Sequence, residues 1–209
     1  MVNEIQKNEA ILIKWKKECF MTKVPVYVSL EFTPNPSTLK YTVNRQLLKS
    51  GTVNFPTRDA LKDQSPLAEK IFEVAGVEAV MIGKDFVTVT KSEAGDWDKV
   101  HQGASKVIQS HLEAELPVVA KEHLEEKPSD SSDDTDVVKR IKEILDQEIR
   151  PAVAQDGGDI TFERYEQGVV YLHLQGACSG CPSATMTLKV GIENRLREEI
   201  PEIQEVVSV

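Results

Sequence analysis

The feature that most limits what this chain can fold into is the run from Lys121 to Asp136, KEHLEEKPSDSSDDTD. Seven acids stand against two lysines there, and Pro, Ser and Asp fill its second half. Such a stretch cannot bury enough apolar surface to offset its ordering entropy, so it reads as a charged, extended tether. A chain of 209 residues divided at that point yields two compact domains of roughly 80–100 residues each. The expected division is an extension over 1–23, a first domain over 24–116, a linker over 117–135 and a second domain over 136–209.

Both halves carry mixed patterns that predict an α+β class. In the first, Val26–Phe32 reads as a strand ended by Thr33-Pro34-Asn35-Pro36, where two prolines enforce an extended turn. Leu39, Tyr41 and Val43 alternate with polar residues, and Gly51–Phe55 suggests a third strand. A helix begins at Ser65-Pro66 and ends by Gly76, and Val77–Ile82 with Phe86–Val89 flank a hairpin signal. Trp97, Val100, Ala104, Val107, Ile108 and Leu112 then recur at helical spacing. Downstream of the tether the pattern is α-β-β-α-β with a three-stranded sheet. Asp136 stands as N-cap of a helix ending before Pro151, the strands meet at Gln167-Gly168, and a second helix opens at Pro182. Val206-Val207 supplies the last strand. Trp97 and Met186 are expected in the core.

Composition excludes some partners. A net charge of −9 argues against nucleic acid, which needs a basic footprint to neutralise phosphates. No run approaches the ~20 apolar residues of a membrane span. Three cysteines, Cys19, Cys178 and Cys181, do not make a secreted disulfide framework and favour a reducing compartment. Residues 1–23 lack both a secretory apolar core and the Arg-rich, acid-poor character of a mitochondrial presequence, so a short tail or one amphipathic turn is expected. Met21 stands as an alternative start.

The chemistry is concentrated in Gly176-Ala177-Cys178-Ser179-Gly180-Cys181-Pro182-Ser183. The glycines free the loop to adopt positive φ, and Pro182 opens a helix whose orphan amides and dipole favour thiolate over thiol. Those amides would also stabilise an anionic, sulfide-containing cluster. Two thiolates supply half of the four ligands that zinc or a common iron–sulfur cluster requires. A second copy of Cys178 and Cys181 from another chain completes the count, which implies a bridged homodimer. Read from residues, CxxC leaves four readings open: an iron–sulfur site, a thioredoxin-type dithiol, a shared structural zinc, and a cysteine pair packed as small apolar side chains. The βαβ unit expected ahead of a thioredoxin site is missing. Asp156-Gly157-Gly158-Asp159 lacks further acidic ligands for a calcium loop and reads as a turn lying close to the cysteine loop. His173 reads as a half-buried, satisfied strand residue.

Asp156-Gly157-Gly158-Asp159, the Gly176–Ser183 stretch, Thr187-Leu188 and the preceding Ile149-Arg150-Pro151 closely resemble the C-terminal domain of NifU. Thr33-Pro34-Asn35-Pro36-Ser37-Thr38-Leu39-Lys40 and Ser65-Pro66-Leu67-Ala68 resemble the N-terminal domain of Nfu proteins. The resemblance spans about residues 26–209, and Met1–Val24 has no counterpart in it. It implies a non-enzymatic scaffold or carrier that holds a [4Fe–4S] cluster between two chains, with Cys178 and Cys181 as ligands. Its implied partners are an upstream cluster donor and apo iron–sulfur client proteins. Its implied location is the cytoplasm of a bacterium or the mitochondrial matrix of a eukaryote. The alternative from another class is a dithiol–disulfide oxidoreductase.

Overall fold

Strand alternation in the first domain produces a five-stranded antiparallel sheet in the computed structural model, which describes residues 24–120, 135–180 and 182–209, the side chains at 182–184 excepted. The strands are β1 (Val28–Phe32), β2 (Thr38–Val43), β3 (Val53–Phe55), β4 (Val77–Ile82) and β5 (Phe86–Lys91), in the order β1-β2-β5-β4-β3. Helices α1 (Pro66–Phe72) and α2 (Trp97–Glu113) pack on one face. The period of two decides which side chains meet them. Leu39, Tyr41 and Val43 of β2, with Val87 and Val89 of β5, point into that core beside Leu67, Ile71, Val100, Ala104 and Ile108. Their neighbours Thr38, Lys40 and Thr42 pair with Thr90, Thr88 and Phe86 on the opposite face.

Each helix starts where the sequence offers a cap. Ser65 accepts the Ala68 N–H ahead of Pro66, and Asp96 accepts from the amides of Asp98 and Lys99. Gly76 lies beyond α1, which already ends at Phe72, and takes φ +94. The first domain also reaches further than residue 116. Val119 is buried in its core, Ser65 Oγ donates to Val118 O at 2.6 Å, and Ala120 N donates to Gln64 O at 2.7 Å. Residues 117–120, assigned to the linker from composition, are therefore held by the first domain. Residues 121–134 of the expected tether lie outside the described residues, as do 1–23 with Cys19.

The second domain has its own core. Helical structure runs through α3 (Asp136–Ile144), a π turn (Leu145–Ile149) and α4 (Arg150–Gln155), followed by β6 (Gly158–Glu166), β7 (Val169–Gly176), α5 (Pro182–Glu199) and β8 (Glu205–Ser208). Thr135, not Asp136, is the N-cap, its side chain accepting the Val138 N–H. The helix does not stop before Pro151 either. Proline removes one ladder bond and crowds the preceding turn, and the π turn just ahead of it absorbs both effects. Gln167 (φ 49) and Gly168 (φ 86) make the tight β6–β7 turn, in the left-handed conformation that two-residue hairpins require. β8 returns parallel to β7 after the α5 crossover, giving the three-stranded order β6-β7-β8. Ile141, Ile144, Leu145, Ile160, Leu172, Ile192 and Leu196 fill the space between helices and sheet.

Two core expectations resolve differently. Trp97 is partly buried against the first core and donates Nε1–H to Pro36 O at 3.1 Å. Met186 is exposed, because it falls on the outer face of α5. No helix among the described residues is long and apolar enough to cross a membrane.

Candidate functional site

The end of β7 and the start of α5 bring the cysteine loop against the Asp156–Asp159 turn. Gly157 (φ +78) follows α4, and Gly176 (φ +61) leaves β7, both conformations that suit glycine. The two turns are tied directly by Ala177 N donating to Gly157 O at 3.0 Å. Cys178 N donates to Gln175 O, Ser179 N and Oγ both donate to Gly176 O, and Thr185 Oγ1 on α5 donates to Cys178 O at 3.1 Å. These bonds fix the loop. They also commit the amides of Ala177, Cys178 and Ser179, ahead of the helix start, to carbonyl groups.

Cys178 is 7% exposed and belongs to the second core. Its sulfur fills a notch made by Gly158, where a Cβ would overlap Sγ. Beside it lies a cavity of about 390 Å³, lined by Pro34, Val153, Asp156, Ala177, Cys178, Thr187 and Leu188. Burial, with the nearby Asp156 and Asp159 carboxylates, pushes the Cys178 thiol up to about 12. The expected thiolate is thus a neutral thiol in this arrangement: desolvation and two acids outweigh the helix start. A metal would have to displace the proton, as thiolate ligation always requires. Cys181 is outside the described residues, so the structure carries the loop of the pair and one of its two thiols. Among the described residues no group of three or more His, Cys, Asp or Glu side chains could hold a metal ion. Cys178 is the one thiol among the described residues.

The acidic turn has a structural job. Arg150 forks onto Asp159 with Nε to Oδ1 at 2.8 Å and Nη2 to Oδ2 at 2.9 Å, and also reaches Asp146 at 2.9 Å. Asp159 is 3% exposed and further accepts the Ile160 N–H and the Thr52 hydroxyl. These pairings hold the Arg150 guanidinium charged, well above its ordinary value. Asp159 is consumed by arginine and hydroxyl and has no lone pair to spare for a cation. His173 is more exposed than expected and faces away, with Nε2 3.1 Å from Glu163 and Nδ1 3.0 Å from Val209 O.

Sequence reasoning missed the residues that reach this loop from the first domain. Asn35 Nδ2 donates to Ser179 O at 2.8 Å, Lys40 Nζ to Gln155 O at 3.0 Å, and Thr52 Oγ1 to Asp159 Oδ2 at 2.5 Å. The available signal was Asn35 and Lys40 falling within the first-domain motif.

The site is a cysteine loop set between a glycine turn and a helix start, in an α+β domain joined to a second α+β module. The family profile of the NifU-like domain matches residues 141–207, and that of the scaffold protein Nfu/NifU N-terminal domain matches residues 28–115. The chain belongs to the Nfu family of iron–sulfur cluster scaffold proteins. It is 42% identical over 188 residues to the human NFU1 iron-sulfur cluster scaffold homolog, mitochondrial, covering 88% of this chain and 72% of that protein. It is 39% identical over 199 residues to the Drosophila persimilis protein of the same name, covering 95% and 70%, and 41% identical to that of Drosophila virilis, covering 88% and 62%. A solution structure of a NifU-like protein from Saccharomyces cerevisiae aligns with 48% of this chain and 89% of its own, at 25% identity and a TM-score of 0.43.

Proposed function

We propose that this chain binds a [4Fe–4S] cluster between two copies of its second domain, through Cys178 and Cys181 of each, and passes it to apo-proteins. The observation that carries the reading is Cys178 held in the turn between β7 and α5 of a chain of the iron–sulfur scaffold family. Four thiolates are the ordinary protein complement of such a cluster, so two chains supply what one does not. The cluster is cargo. No bond of a substrate is made or broken by the protein, which acts as a carrier and not as an enzyme. Its partners are an upstream donor and apo iron–sulfur clients, met in a reducing compartment such as the mitochondrial matrix. A dithiol oxidoreductase needs an attacking thiolate near neutral pH, and burial pushes the Cys178 thiol the other way, which favours the carrier reading.

Anaerobic reconstitution with iron and sulfide tests the assignment. Iron and acid-labile sulfide per chain should fall to background in Cys178→Ser and in Cys181→Ser, and stay near the parent level in Cys19→Ser. Sedimentation velocity on the same samples should show monomer becoming dimer on loading, with about four irons per two chains. A fully loaded monomer, or normal loading in either of the first two variants, overturns the bridged site.

A further inference from the structure

The open face of the first sheet is occupied by the cysteine loop. Gly157 lies so close to it that an added Cβ would stand 2.8 Å from Thr88 Cγ2 and 3.3 Å from both Lys40 Cβ and Thr33 Cγ2. Gly176 sits as tightly on Met81, whose Cε would be 2.5 Å from such a Cβ. Around these two backbone contacts stand the three cross-domain hydrogen bonds from Asn35, Lys40 and Thr52. Lys40 is 8% exposed, an unusual burial for a lysine, and its Nζ pairs with Glu31 at 2.8 Å and donates to Gln155 O at 3.0 Å.

We propose that this sheet face is a docking surface for the glycine-rich cysteine loop, that its occupant is the chain's own second domain in the iron-free form, and that it is vacated when two chains share a cluster. The proposal rests on Cys178 and Cys181 being the ligands. Its core is steric. Pro34 of the first domain walls the cavity beside Cys178, so a second chain approaching through that cavity meets the first domain. Ser179 and Gly180, which an approaching chain would meet, line a groove shared with Asn35, Asn54 and Met81. The contact is also made to part. It is built of threonine, lysine and glycine around one methionine, and Thr88 Oγ1 is buried with no hydrogen-bond partner. Water satisfies that hydroxyl on separation, and leaving such a group unpaired costs about 1–3 kcal/mol, which the closed form bears. The cores of the two domains share no residue, so separation breaks neither.

The test uses the full chain. In iron-free protein, alkylation of Cys178 is followed by peptide mass spectrometry, and the radius of gyration is taken from small-angle scattering. Lys40→Glu should raise the alkylation rate by roughly tenfold, the scale of one charge-assisted hydrogen bond, and should expand the particle. Asn35→Ala combined with Thr52→Ala should do the same by a separate route, which covers misfolding of the lysine variant. Parent rates and dimensions in both variants overturn the docking. In the parent chain, each protomer of the loaded dimer should show the separated arrangement, and a loaded dimer with docked dimensions overturns the release. If no cluster binds at all, the functional reading falls, while the iron-free measurements still decide whether the surface docks its loop.

Discussion

The sulfur of Cys178 occupies the space that a side chain on Gly158 would need. The first residue of β6 is therefore part of the cysteine's seat, although twenty positions separate the two in sequence. Its φ is not in the left-handed region, so the constraint on residue 158 is one of volume and not of backbone conformation.

Gly158→Ala consequently forces the loop or the sheet to give way. The expected cost is about 1–3 kcal/mol, the usual range for overpacking a core. Chemical denaturation of the second domain measures it, and iron per chain after reconstitution should fall because Cys178 is displaced. An unchanged midpoint together with full loading would show that the seat is soft.

Asp159→Asn keeps the shape and removes the charge that faces Arg150. Breaking a buried pair costs about 3–5 kcal/mol, and the lower end is expected here because Arg150 is partly open to water and retains Asp146. The denaturation midpoint of the second domain should drop accordingly. A neutral result would mean that water replaces the carboxylate without loss.

A fragment beginning at Thr135 should fold by itself, because its apolar cluster is contained within residues 141–206. Cooperative thermal unfolding by circular dichroism checks the fold, and iron per chain should match the full protein. A fragment that melts without a transition would make the first sheet part of the second domain's folding unit.

His111 ties α2 to the segment that follows it, with Nε2 2.9 Å from Pro117 O and Nδ1 buried without a partner. Burial pushes its imidazole below the ordinary value, outweighing the carbonyl bond, and Lys70 adds to the depression. The unfolded chain then takes up a proton more readily than the folded one. The stability this group contributes is present above pH 6.5 and is lost as pH falls through the depressed folded value. The melting temperature of the first domain should decline between pH 7 and 5, and His111→Gln should decline less. Equal slopes would assign the loss to other groups.

Much of this was legible in the residues. The apolar periods of β2, β4 and α2, the Ser65-Pro66 helix start and the Gln167-Gly168 turn all carry local signals that the fold keeps. Pro151 misled because its cost was absorbed by a π turn, which leaves no mark in sequence. Met186 misled because α5 is apolar beyond its buried stripe. The larger omission was the sheet face that holds the loop. Thr38, Lys40 and Thr88 alternate with core residues and look like the wet side of a strand, yet all three are buried. Polar burial against glycine backbone has no periodic signature, and neither has the desolvation that makes Cys178 a neutral thiol.

The chemistry of that face also sets how its equilibrium responds to temperature. Exposing apolar surface raises the heat capacity and exposing polar surface lowers it, so parting a contact made of hydroxyls, an ammonium and bare peptide leaves the two contributions close to cancelling. Melting either apolar core has no such balance. The free energy of parting the docked domains should thus run almost straight with temperature, while each domain remains subject to the steep thermal curvature of ordinary unfolding.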